Sequence, residues 1–171
     1  MKVNIGRYPK KDNKRKIDIH IDPYDTYSAD HTLALIILPV LLQFKQEKHG
    51  VPGEFADVGG EDYAHQMSFD FYQETYSESF DESCKKWDDI LDHMIWAFME
   101  IAKDDYQDKY HHGQPDFDFV KDQVHPTYGQ LYRMNNNNPG YWVDYDGLQL
   151  HEERIQEGID LFAKYYKNLW D

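Results

Sequence analysis

The 171-residue chain carries 18 Lys/Arg against 32 Asp/Glu, a formal net charge of −14, which argues against nonspecific binding to nucleic acid or to an anionic membrane. Its mean hydropathy is −0.85, yet 40% of its residues are hydrophobic and 16% aromatic, as an ordered single domain requires. The lone Cys84 excludes an internal disulfide framework and fits a reducing compartment, and the first residues lack the apolar core of a signal peptide, so a cytosolic protein is expected.

The charge is uneven. Residues 1–22 hold seven Lys/Arg against three Asp, a net of +4, and the remaining residues hold eleven basic and twenty-nine acidic groups, a net of −18. Within that basic start, Lys2 to Tyr8 and Lys16 to Asp22 read as two strands of a hairpin over residues 1–24. Ile17, Ile19 and Ile21 alternate with Asp18, His20 and Asp22, the period-2 pattern of a half-buried strand. The turn Pro9 to Arg15 gives the hairpin a basic tip, either a solvated turn or an arm for an anion.

Leu33 to Phe44 reads LALIILPVLLQF. A helix apolar on every side is a core helix or a membrane span, and spanning takes about 18 or more apolar residues. The run therefore predicts a buried central helix over 28–49. Ser28 suits its amino cap, Asp30 the dipole, Gly50 a left-handed carboxyl cap, and Pro39 a kink.

Val51 to Glu82 contains no Lys or Arg but nine Asp/Glu and seven Phe/Tyr. It reads as a long loop, anchored by Phe69, Phe71 and Tyr72 or presenting an acidic, aromatic surface to a basic partner. Residues 82–108 read as an amphipathic helix whose buried stripe is Trp87, Leu91, Met94, Phe98 and Ile101. A second row, Asp92, Trp96, Glu100 and Asp104, is expected on or beside the exposed face, where a Trp among carboxylates suggests a contact. Tyr110 to Tyr145 reads as irregular, with Asn135–Asn138 before Pro139-Gly140 as a turn signal. The last helix is expected over 146–169, burying Leu148, Ile155, Ile159, Phe162, Tyr166 and Leu169. Gly158 in mid-helix costs about 1 kcal/mol against Ala, so a close helix crossing is expected there.

No catalytic constellation stands out. Asp18, His20 and Asp22 lie on one stretch of strand, but there is no HExxH and no cysteine-rich zinc pattern. Beside that strand-face candidate for a metal, Asp89, Asp92, Glu100 and Asp104 facing Glu153 and Glu157 could hold magnesium for nucleotide hydrolysis, and a matching ExxE is missing. No cofactor is predicted.

Three stretches taken together resemble a known family. They are Asp25 to Leu33 running into Ile36-Ile37-Leu38-Pro39 and Lys48-His49-Gly50; Trp87 with Asp92 to Phe98; and Arg154, Gly158, Leu161-Phe162 and Lys164-Tyr165-Tyr166 with Leu169-Trp170-Asp171. The chain is similar to a family of small acidic proteins of tailed bacteriophages, with the patterns DTWSxDxTL, IILPMLxQLKxxKHGxP, DEMIxAFE and GFxLFGKYYxxLWD. The likeness runs in order along almost the whole chain. It departs at Tyr27 (family Trp), at Ala163 (family Gly) and in 51–80, which lacks the DDEDVP run. The resemblance implies a viral origin and expression in the host bacterial cytoplasm, and it carries over no activity and no site residues.

The expected fold is a single α+β domain, mostly helical, with an N-terminal β-hairpin packed on a three-helix core and two long loops. The expected function is non-enzymatic binding during infection, of a basic host protein or a small nucleotide-like signalling ligand, in host takeover or anti-defence. A virion structural component and a metal-dependent nucleotide hydrolase are the alternatives. Homo-oligomerisation is compatible with all three. The binding candidates are Asp25, Asp30, His31 and His49 around the central helix, then Trp96, Glu100, Arg154 and Tyr165.

Overall fold

A computed structural model describes residues 1–8, 14–56, 69–103 and 105–170, with residues 56 and 69–80 as backbone alone. The elements run β1 (Lys2–Ile5), β2 (Ile17–His20), a 3-10 turn (Pro23–Thr26), α1 (Ala29–Glu47), α2 (Gly53–Ala56), α3 (Phe69–Ile101), β3 (His111–His112), β4 (Phe117–His125), β5 (Gly129–Asn136), β6 (Trp142–Val143) and α4 (Tyr145–Tyr165). The fold is α+β and mostly helical, with three separate two-stranded antiparallel sheets. The chain divides into two compact units, Met1–Lys103 with Ile155–Asp171, and Asp104–Arg154.

The first unit is built on α1, α3 and the second half of α4. Ala34, Leu41, Trp87, Leu91, Met94, Phe98 and Tyr165 form its buried cluster, and each large side chain buried this way is worth roughly 1.5–3 kcal/mol. Trp87 sits at the centre of an aromatic group. Tyr165 meets its ring at 5.2 Å, Phe55 at 6.2 Å and Phe44 edge-on at 6.4 Å. The expected stripe on α3 is therefore the core stripe. The expected crossing at Gly158 is also present, since a Cβ there would strike the Ala97 methyl and stand 3.0 Å from the His93 carbonyl oxygen.

α1 departs from the expectation of burial on all sides. Ala34 and Leu41 are buried, while Leu33, Leu35, Val40 and Leu42 are exposed. One face lies on α3, where Lys45 meets Asp92 at 2.5 Å and Lys48 meets Asp88 at 3.0 Å, and the neighbours among the described residues leave the rest of the cylinder partly open. The helix runs unbroken through Pro39, which is exposed. Ser28 holds the N-cap position by its backbone, accepting from the Thr32 amide at 3.0 Å, with no side-chain cap bond. Among the described residues the positive-φ glycines are Gly113 and Gly129 rather than Gly50.

Other boundaries differ as well. β2 is exposed along its whole length, because the β1–β2 ribbon has no third layer over it among the described residues; Ile17 is 61% and Ile19 54% accessible. The stretch expected as a loop over 51–82 contains α2 and the first turns of α3, and α3 ends at Ile101 instead of 108. Residues 9–13 of the basic tip, residues 57–68, the side chains of Phe69, Phe71 and Tyr72, and Asp104 lie outside the described residues. On α4 the buried aromatic is Tyr165, and Tyr166 is exposed.

In the second unit, the stretch read as irregular holds four strands. β4 and β5 pair from Phe117↔Asn136 to His125↔Gly129 with a bulge between Lys121 and Val124. His125 closes their turn, its Nδ1 accepting from the Thr127 and Tyr128 amides at 3.1 and 3.3 Å, and Gly129 supplies the positive φ that a tight hairpin needs. The Asn run is a clip: the Asn138 side-chain amide donates to the Gln114 carbonyl at 2.8 Å. β3 and β6 pair through His111↔Val143 and His112↔Trp142. His151 is buried against the Tyr106 ring at 5.6 Å and the Tyr110 ring at 5.7 Å.

Candidate functional site

The residues singled out in the sequence do not converge on one place. Asp25 accepts from the Met1 ammonium at 2.8 Å and from the Asp22 amide at 2.8 Å. The hydrogen bond from the ammonium, then that from the Asp22 amide, holds its carboxyl below the usual range, and the same contact raises the amine. Thr32 ties Asp25 to α1, its hydroxyl donating to the Asp25 carbonyl at 3.0 Å. His31 Nδ1 lies 3.2 Å from the Ile101 carbonyl oxygen at the end of α3. Asp30 and His49 are exposed at the two ends of α1. Asp25 and His31 thus make contacts at the ends of helices.

Trp96 is half-buried, its ring 6.3 Å from that of His93. Glu100, expected on the exposed row, is 5% accessible and paired with Lys103. Arg154 is exposed and belongs to the second unit.

Tyr165 carries the most specific polar arrangement. Its hydroxyl donates to Glu54 and accepts from Lys164 Nζ at 2.7 Å. Burial, reinforced by the adjacent Glu54, raises its phenol. The Tyr165 hydrogen bond lowers the Glu54 carboxyl, and the same hydroxyl raises Lys164. This polar cap closes the aromatic group around Trp87. Beside it, His93, Glu157, Asp160, Leu161 and Lys164 line an open cleft of about 360 Å³, with His93 3.8 Å from Glu157.

Of the carboxylates considered for a metal, Asp92 pairs with Lys45, Asp18 with Lys2 and Glu153 with Gln149. Among the described residues no group of three or more metal-ligating side chains converges. No helix there is long and apolar enough to cross a membrane.

What the sequence reading missed is the face of β4–β5. Because side chains alternate along a strand and Phe119 stands opposite Met134, Phe117, Phe119, Tyr132 and Met134 share one side of the ribbon. All four are exposed, Phe119 at 67% and Met134 at 56%. The other side carries Asp118, Val120, Arg133 and Asn135. Aromatic and Met side chains in an uncovered row are the composition of a contact surface. Lys121, opposite Tyr132, and Asn136, opposite Phe117, share the row's side, and the unit around it, residues 104–154, has ten Asp/Glu against four Lys/Arg. The signal available in sequence was the Phe-x-Phe of 117–119 and the Tyr-x-Met of 132–134.

No protein-family model, curated protein or solved structure matches this chain.

Proposed function

We propose that this chain is a bacteriophage accessory protein that acts in the host cytoplasm by capturing a basic host protein, without catalysis, through the β4–β5 ribbon. The observation that carries the reading is the exposed Phe117, Phe119, Tyr132 and Met134 row in an acidic unit. A two-stranded ribbon is marginal in water on its own, and an uncovered aromatic row favours a partner that covers it. The acidic surroundings select a basic patch and speed its encounter. A nucleotide-like ligand is less favoured, because Lys164, a cation suited to meet its phosphates, is held by Tyr165 and Glu54.

The test is affinity purification of the tagged protein from host cells, with wild type beside the Phe119→Asp/Met134→Asp variant and a Leu33→Asp control in the other unit. The reading expects a basic protein at a fixed ratio, lost only with the ribbon variant. Reconstitution from purified components should weaken as salt rises. Equal recovery by the ribbon variant would overturn the assignment, and recovery of the protein in purified virus particles in place of a host complex would favour the virion reading.

A further inference from the structure

α2 is four residues long, too short to hold itself as an isolated helix, so side chains fix its place on the first unit. The Phe55 ring lies 6.2 Å from that of Trp87 and 5.9 Å from that of Tyr165, and Phe55 is only half-buried. Ser83 Oγ donates to the Phe55 carbonyl at 2.6 Å. Glu54 accepts from the Tyr165 hydroxyl and pairs with Lys164 at 3.4 Å. These anchors all converge on two residues, Glu54 and Phe55. Just upstream, Val51 packs on the core and Pro52 is buried. Gly53, where α2 begins, has open space around the position of a Cβ.

The surface under Phe55 does not depend on it for assembly. Trp87 of α3 meets Tyr165 of α4 at 5.2 Å and Phe44 of α1 at 6.4 Å, and neither contact involves α2. Trp87 is 1% and Tyr165 3% accessible, with Phe55 as part of their cover.

We infer that α2 is a strap that opens about Gly53 while the helices beneath stay folded, with Glu54 as its latch and the rings of Trp87 and Tyr165 as the surface it uncovers. The contacts set the order of opening. Lifting α2 gives up one half-buried ring and a few polar contacts, whereas opening α3 gives up Trp87, Leu91 and Met94 together. Val51 and Pro52 stay seated, so the movement begins at Gly53.

Amide hydrogen exchange of the full chain, read by NMR, tests this. The reporter is the Phe55 amide, which donates to the Pro52 carbonyl at 2.9 Å; the reference is the Leu91 amide inside α3. In wild type, Phe55 should exchange faster than Leu91 and respond little to sub-denaturing urea, because a strap exposes little surface. Glu54→Ala should speed exchange at Phe55 by about tenfold, the loss of one hydrogen bond to a charged group. Gly53→Ala should slow it by about threefold, because the open strap then has less backbone freedom to gain. The uncovering is read separately, by acrylamide quenching of Trp87 in a Trp96→Phe/Trp142→Phe/Trp170→Phe background. The three replaced rings are half-buried or exposed, and circular dichroism verifies folding. Adding Glu54→Ala should raise the quenching. Exchange at Phe55 that is no faster than at Leu91, or that Glu54→Ala leaves unmoved, would overturn the inference. So would faster exchange at Phe55 with Trp87 as shielded as before.

Discussion

Gly158 on α4 rests directly on Ala97 of α3: the Ala97 methyl occupies the position a Cβ at 158 would take, and the His93 carbonyl oxygen lies 3.0 Å from it. The absent side chain lets the two backbones approach, and Phe98 and Phe162 pack beside the crossing at 5.0 Å.

Gly158→Ala should therefore destabilise the protein although it improves helix propensity. Propensity offers about 1 kcal/mol, while overpacking a close crossing costs typically about 1–3 kcal/mol. Chemical denaturation should show a lower midpoint, and adding Ala97→Gly should recover part of the loss. A more stable Gly158→Ala protein would show that the crossing relaxes freely.

The Glu54–Tyr165–Lys164 group gives a signed pH dependence. Glu54 has a lowered carboxyl in the folded state, so its contribution is present above the ordinary glutamate value of about 4.3 and is lost as pH falls through the lower folded value. Tyr165 is raised, so its contribution is present below the ordinary tyrosine value of about 10 and is lost as pH rises through the higher folded value. Stability measured against pH should form a plateau between these limits. Glu54→Gln should flatten the acid limb, and Tyr165→Phe the alkaline one.

Burial separates two aromatic residues that look alike in the sequence. Trp87→Ala empties the centre of the core and should cost about 3–5 kcal/mol, a large fraction of a domain's total stability. Phe119→Ala removes an exposed ring and should stay within about 0.5 kcal/mol while weakening partner capture. Calorimetry of the two variants beside wild type decides the contrast.

Asp88 and Asp92 hold α1 through Lys48 and Lys45. Asp88→Asn and Asp92→Asn should each lower stability by no more than about 1 kcal/mol, the range of exposed ion pairs, and the loss should shrink at high salt. A nucleotide hydrolase would instead lose turnover on Asp92→Asn with its stability intact, so a turnover assay beside the melt separates the two roles.

The core stripe of α3 was legible because Trp87, Leu91, Met94 and Phe98 recur at helical spacing, and a helix that buries one face must write that period into its sequence. The Gly158 crossing was legible for a related reason: a residue that weakens a helix persists where nothing larger fits. The β4–β5 ribbon was not, because its alternation spans only Phe117-Asp118-Phe119 and Tyr132-Arg133-Met134, too short a stretch to stand out among the turn residues around it. Glu100 lies deeper than its row, expected on or beside the exposed face, because spacing fixes which residues share a helix face, but not how much of that face the neighbouring segments cover.

The sequence by itself determined the three long helices, the N-terminal hairpin, the close crossing and the division into a basic start and an acidic remainder, since periodicity, turn residues and charge are local properties. Only the tertiary structure decided that α1 is covered on one side, that Tyr165 rather than Tyr166 turns inward, that Glu54 meets it from 111 residues away, and that the aliphatic face of β1–β2 stays open. Those outcomes depend on which surfaces meet when distant segments pack, and a pattern read along one segment contains no record of its neighbours.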